Sequence, residues 1–127
     1  MNNGIENLNK ITEKIISCAI EVHKILGPGL LESIYENALC YEFKVSNIKY
    51  EKQVEMPIVY KDLQLGVYRL DILVENEIII ELKAVDRIDP VFEVQLLTYL
   101  KVSGKRLGLL INFNTPVLKN GIKRIIL

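Results

Sequence analysis

Three residues in the stretch Tyr68–Ala84, YRLDILVENEIIIELKA, have types and spacing that suit chemistry: Asp71, Glu81 and Lys83. Each is a charge set among Leu, Ile and Val, where an uncompensated charge is costly. Two apolar runs rich in aliphatic and β-branched residues, separated by Glu75-Asn76-Glu77, read as the strands of a hairpin. Side chains alternate along a strand, so Glu81 and Lys83 share a face and Leu82 takes the other. With a three-residue loop, Val74 pairs with Ile78 and Asp71 falls opposite Glu81. A two-residue loop would slip the register and separate the two acids. Opposed carboxylates repel one another and call for a cation. A hard divalent ion binds one or two carboxylates together with waters and phosphate oxygens. Lys83, on the same face, would add a positive charge for a phosphate or hold an attacking water. The stretch therefore suits a metal-dependent phosphodiester site, against the plainer alternative of a salt-bridged sheet rim.

The elements that must position these residues follow from apolar periodicity. Leu8, Ile11, Ile15, Ala19, Val22 and Leu26 recur at three- and four-residue intervals and predict a helix from about Ile5 to Leu26, ended by Gly27-Pro28-Gly29. A second helix is predicted from about Leu30 to Val45, its faces set by Leu31, Ile34, Ala38, Leu39 and Tyr41 or Glu42. Glu32, Tyr35 and Glu36 fall in its first turns, where pattern alone makes Glu32 a complement to the helix dipole. Tyr50–Tyr60 reads as a strand that Pro57 assigns to a sheet edge or a bulge. Residues 63–74 return antiparallel, with a bulge expected at Gly66. With residues 77–84 they form a three-stranded antiparallel meander. Asp89-Pro90 opens a helix that Gly104 stops. Val91, Val94, Leu97 and Leu100 are expected to face inward, with Gln95 and Tyr99 on a neighbouring stripe. The continuously apolar run 107–113 reads as a strand buried on both faces. A right-handed crossover through the helix would set it parallel to the strand of Glu81. Residues 122–127 offer one more strand after the Asn120-Gly121 turn.

The whole chain bounds the reading. Its 127 residues, half of them hydrophobic and 25% charged, are expected to fold as a single globular domain spanning 1–127. No apolar run is long enough to span a bilayer and the N-terminus lacks a signal peptide's regions, so a cytoplasmic protein without a membrane partner is expected. Cys18 and Cys40 read as reduced core thiols. His23, the only histidine, has no ligand partners at metal spacing and reads as structural. The 16 basic and 16 acidic side chains cancel, leaving no global field to draw nucleic acid. After Glu93 there is no acid, while Lys101, Lys105, Arg106, Lys119, Lys123 and Arg124 follow. That tail is either a solvated surface or one wall of a phosphate-binding groove.

The segment GPGLLESIY, Gly27–Tyr35, resembles the signature of the GxxExxY proteins, a branch of the PD-(D/E)XK nuclease superfamily. The similarity continues through YRLDILV, IIIELKAV, the Gln95–Tyr99 segment QLLTY and GLLINFN, and so covers nearly the whole chain. The resemblance implies an α/β, restriction-endonuclease-like core: a mixed central sheet, flanked by helices, with an antiparallel meander and a parallel strand after a crossover helix. It implies Asp71 as the motif aspartate, Glu81 and Lys83 as the (D/E)XK pair, and Glu32 as an additional helical acid. Gln95 and Tyr99 resemble a QxxxY motif near the metal site. By the same resemblance Asp71, Glu81 and the Leu82 carbonyl, with support from Glu32, would bind Mg²⁺ or Mn²⁺, and the partner would be nucleic acid, DNA foremost. Two positions depart from the pattern: Leu70 stands where the superfamily's name has proline, and Phe92 where many relatives carry histidine. Two other readings stand beside the nuclease: a nuclease-fold module that binds nucleic acid or protein without chemistry, and a metal-dependent enzyme acting on a small phosphate compound. A homodimer through an edge strand and the Ile-Ile-Leu end is a further expectation.

Overall fold

The computed structural model describes residues 2–127, with side chains from Gly4 onward. Helices α1 (Asn2–Leu26) and α2 (Glu32–Val45) precede strands β1 (Tyr50–Tyr60), β2 (Leu63–Val74) and β3 (Ile78–Lys83). Helix α3 (Pro90–Ser103), β4 (Leu107–Asn112), a 3₁₀ turn (Leu118–Gly121) and β5 (Ile122–Ile126) follow. The five strands form one sheet in the order β1-β2-β3-β4-β5. All neighbours run antiparallel except β3 and β4, which are parallel across the α3 crossover. The mixed sheet expected from the sequence is therefore present, with the edge position expected for the Pro57 strand.

The sheet is covered on both faces. On one, Ile15, Ala19 and Val22 of α1 and Tyr35, Leu39 and Phe43 of α2 pack on Ile72, Val74, Ile78, Ile80, Leu109 and Ile111. On the other, Leu96 and Leu100 of α3 pack on Leu73, Ile79 and Leu110. Burying both faces explains why β3 and β4 are apolar without alternation. Gly108 is required by this second layer, since a Cβ there would lie 2.8 Å from Leu96 Cδ1.

Two helix faces differ from the periodic reading. In α2, Leu39 is buried and Ala38 partly so, but Ile34 and Tyr41 face outward, as does Leu31 (73% exposed) at the N-cap just before the helix. The buried stripe is instead Tyr35, Leu39, Cys40 and Phe43. Tyr35 is stacked on Phe113 at 4.5 Å, and its hydroxyl donates to Gly27 O (2.6 Å) and accepts from Leu30 N–H (3.1 Å). A buried ring whose polar tip is satisfied by the interhelical loop fixes the helix more firmly than aliphatic residues in an overhanging first turn. In α3, Val91 and Val94 are exposed and Leu97 only partly buried, while Leu96 and Leu100 form the buried row. Apolar residues ring this helix, so periodicity could not choose a face, and the hollow at Gly108 does.

Local signals at element ends hold. Gly27 takes φ 68° and ends α1. Asp89 caps α3 by accepting from Val91 N–H at 3.0 Å, and Gly104 stops it in a left-handed conformation. The β1–β2 register shifts near Gly66, at the expected bulge. His23 Nε2 lies 2.7 Å from Thr115 O, a structural tie between α1 and the loop after β4. Cys18 and Cys40 are buried free thiols. Among the described residues no helix is long and apolar enough to cross a membrane.

Candidate functional site

The hairpin of β2 and β3 turns through the three residues 75–77, with Val74 paired to Ile78. Its ladder ends at the Ile72–Ile80 pair, although β2 starts at Leu63 and β3 continues to Lys83. Past that pair, side chains replace the backbone ladder. The Asp71 N–H donates to Glu81 Oε1 at 3.3 Å, and the Leu82 N–H donates to Asp71 Oδ2 at 2.8 Å. Asp71 and Glu81 thus meet across the gap, as the three-residue register requires. A residue's N–H and C=O point to the same edge of a strand, so the Leu82 carbonyl also points toward Asp71.

An irregularity in β1 and β2 frames this gap. Leu70 packs in the α3 layer, whereas Ile72 packs in the α1–α2 layer, although residues two apart on a regular strand share a face. Opposite, Tyr50 belongs to the α1–α2 layer and Val54 to the α3 layer. Gln53, between them, has φ 51°, a left-handed conformation within a strand. The pair of strands therefore turns over at the level of Gln53 and Asp71, which opens the sheet beside Asp71.

A cleft of about 200 Å³ occupies this opening, lined by Glu32, Ser33, Glu36, Gln53, Asp71 and Leu82. The Gln53 amide donates to Glu36 Oε1 at 2.8 Å. A larger hollow, near Lys49 and Asn76, lies at the hairpin-loop end of the sheet, away from these acids. On the α3 side, Lys83 Nζ sits 4.4 Å from the centre of the Phe92 ring, and Tyr68 and Tyr99 meet edge to face at 5.6 Å.

The electrostatics join these groups. Glu81 is 9% exposed, and burial first, then the Asp71 charge, pushes its carboxyl up to about 8, opposed by the Asp71 N–H and by Lys83. Glu32 is held above the ordinary carboxylate range by partial burial, with Asp71 and Glu36 adding to the shift and Lys83 opposing it. The Tyr99 hydroxyl is raised by burial and then by Glu81, with smaller contributions from Tyr68 and Asp71. Gln95, by contrast, is exposed on α3 and makes no hydrogen bond to Asp71 or Glu81 among the described residues.

A divalent cation fits this donor set. Mg²⁺ needs one or two carboxylates, with water and phosphate oxygens completing its shell, and Asp71 and Glu81 are opposed and mutually repulsive. Among the described residues no group of three or more Asp, Glu, His or Cys side chains forms an all-protein cage.

Three residues beyond those singled out from sequence belong to this region. Glu36 follows Glu32 by four positions on the same helix face, a spacing that was available to find it. Gln53 has no sequence signal, because nothing in its neighbours announces a left-handed residue in mid-strand. Asn112, only 3% exposed, is the lone polar residue of its strand. Its Oδ1 accepts from Val85 N–H (3.0 Å) and its Nδ2 donates to Val85 O (2.9 Å). With the Phe113 N–H on Lys83 O at 3.0 Å, this amide fixes the backbone on both sides of Ala84, just past Lys83.

The family model of the PD-(D/E)XK nuclease superfamily matches residues 9–125. Among solved structures, the crystal structure of SSO0001 superposes with a TM-score of 0.53 at 24% identity, over 74% of this chain and 48% of that one. The chain thus spans about half the length of that structure, and the likeness is one of fold. No curated protein matches. Nucleases of this superfamily generally use divalent metal ions. A match over nearly the full length, on a mixed sheet whose paired acids meet where two strands part, establishes that the chain belongs to the PD-(D/E)XK nuclease superfamily, with its restriction-endonuclease-like fold.

Proposed function

We propose that this protein is a metal-dependent nuclease of the GxxExxY branch that hydrolyses phosphodiester bonds of nucleic acid, with DNA as substrate. The observation that carries the reading is the opposition of Asp71 and Glu81 across the open end of the β2–β3 hairpin, where each carboxylate accepts a backbone N–H from the other strand. Asp71, Glu81 and the Leu82 carbonyl would hold Mg²⁺ or Mn²⁺, with Glu32 supporting a second ion or a bound water. Such an ion, when bound, polarises the phosphate and lowers the pKa of water.

The chain's own groups do the rest. Lys83 orients the attacking water or neutralises charge developing on the phosphate oxygens. Gln95, exposed one turn before Tyr99, is free to reach a phosphate oxygen. The Tyr99 hydroxyl, held protonated by burial and the neighbouring acids, donates a hydrogen bond rather than accepting a proton.

The test is cleavage of labelled single- and double-stranded DNA with Mg²⁺ or Mn²⁺, comparing wild type with Asp71→Ala and Lys83→Ala. Both variants are expected to lose roughly 10²–10⁴-fold in rate. A wild-type protein that binds neither metal nor DNA and cuts nothing would remove the enzymatic reading.

A further inference from the structure

We propose that the Phe92 ring is the seat of the Lys83 ammonium, which makes Phe92 a positioning residue for that lysine; its catalytic consequence rests on the nuclease reading above. Lys83 Nζ lies 4.4 Å from the ring centre, well within the range of a cation–π interaction. The alternative partners are close at hand, since Glu81 shares the face of Lys83, and Glu32 and Glu81 both feel its charge. Yet the one ion pair among the described residues is Arg69 with Glu55, so no described carboxylate oxygen lies within 4.0 Å of Lys83 Nζ. The ammonium is held by a ring face instead of by an acid.

The ring is itself fixed. Phe92 lies in the first turn of α3, where its N–H donates to Asp89 O at 3.0 Å, and Asp89 Oδ1 accepts from Val91 N–H at 3.0 Å. Its body packs against the layer of Leu96, Leu100 and Leu110. The Asp89-Pro90 helix start therefore sets the ring, and the ring sets the lysine. On the other side, the Asn112 amide holds the chain just past Lys83 through Val85.

The arrangement solves a problem of this site. A lysine on its flexible stem beside two acids would ordinarily close onto one of them. A carboxylate so engaged has fewer lone pairs for a metal, and the ammonium has fewer donors for a phosphate. A ring face attracts the cation without occupying any of its N–H bonds in a salt bridge. It therefore leaves Asp71 and Glu81 free of a salt bridge to Lys83 while seating the ammonium on the α3 side of the site.

The experiment uses the full chain with phenylalanine analogues of increasing fluorination at position 92, which drain the ring face while keeping its shape, beside Phe92→Trp and Phe92→Leu. Two readouts are taken: the NMR shifts of the Lys83 ε-methylene, and kcat and KM for metal-dependent cleavage of labelled DNA. The expected result is an upfield ring-current shift in wild type that Phe92→Leu abolishes. With it, kcat should fall stepwise with fluorine number by about 3- to 30-fold overall, and Phe92→Trp should retain activity. Absence of the ring-current shift overturns the proposal. So does a kcat indifferent to fluorination, even where Phe92→Leu lowers the thermal midpoint. A wild-type protein that cuts nothing overturns the nuclease reading instead, and the Lys83 shifts then decide the seat by themselves.

Discussion

Glu81 is the residue at which burial and chemistry conflict most openly. Its carboxyl is 9% exposed and faces Asp71, and its folded-state value rises from an ordinary 4.5 to about 8. A carboxyl raised on folding stabilises the folded state fully below its unfolded value, and that contribution is lost as pH climbs through the folded value. The metal-free protein should therefore lose thermal stability between about pH 4.5 and pH 8. Glu81→Gln should flatten that slope, since the amide has no proton to lose. Mg²⁺ added at pH 8 should raise the wild-type midpoint, because a cation favours the carboxylate that burial opposes. A metal-free melting profile flat across this window would contradict the environment described for Glu81. The same conflict made the acids visible in the sequence, since charges among Leu, Ile and Val demand a reason. Asn112, in the run GLLINF, is an anomaly of the same kind. An uncharged amide draws less notice, and its partner Val85 is 27 residues away in sequence.

At the scale of elements, the site depends on the hairpin register and on the turnover of β1 and β2. The register was legible, because a three-residue loop alone brings Asp71 to Glu81, and the structure has Val74 opposite Ile78. The meander, the parallel crossover strand and the capped α3 were legible for similar reasons of turn chemistry and continuous apolar runs. Helix faces were less so. Where apolar residues surround a helix, the buried row is chosen by the surface it meets, as Gly108 chooses Leu96. The turnover was invisible, because it resides in the backbone of Gln53 at φ 51°. A β-branched residue is strained in that conformation and glycine is not. Gln53→Val should therefore destabilise the protein by about 1–3 kcal/mol. Gln53→Gly should cost less, being limited to the lost hydrogen bond with Glu36 and some chain entropy. Urea unfolding of the two variants measures the difference. Equal midpoints would mean that β1 runs straight past Asp71 and that the cleft has another origin.

For the whole molecule, the question is how a chain with 16 basic and 16 acidic groups would hold a polyanion. Without a global field, attraction must come from where the cations lie. The basic residues after Glu93 divide between the two ends of the sheet. Lys105 and Arg106 precede β4, and Lys105 Nζ reaches Asn76 Oδ1 at 3.4 Å at the hairpin loop, away from Asp71. Lys123 pairs across the sheet with Leu110, which pairs in turn with Glu81, so it lies two strands from the acid at the same level. It lines a cleft of about 300 Å³ with Arg87, Asn114 and Asn120, beside the loop that leaves Lys83. A nucleic-acid strand passing over the Asp71–Glu81 gap would meet Arg87 and Lys123 and miss Lys105 and Arg106. Each phosphate contact contributes close to one unit to the slope of log affinity against log salt. Arg87→Ala with Lys123→Ala should therefore lower that slope for duplex DNA by about 2 and weaken binding evenly across sequences. Lys105→Ala with Arg106→Ala should leave the slope as in wild type. Were the second pair to change the slope and the first to leave it intact, the strand would run along the opposite end of the sheet, and the acids at the gap would not face it.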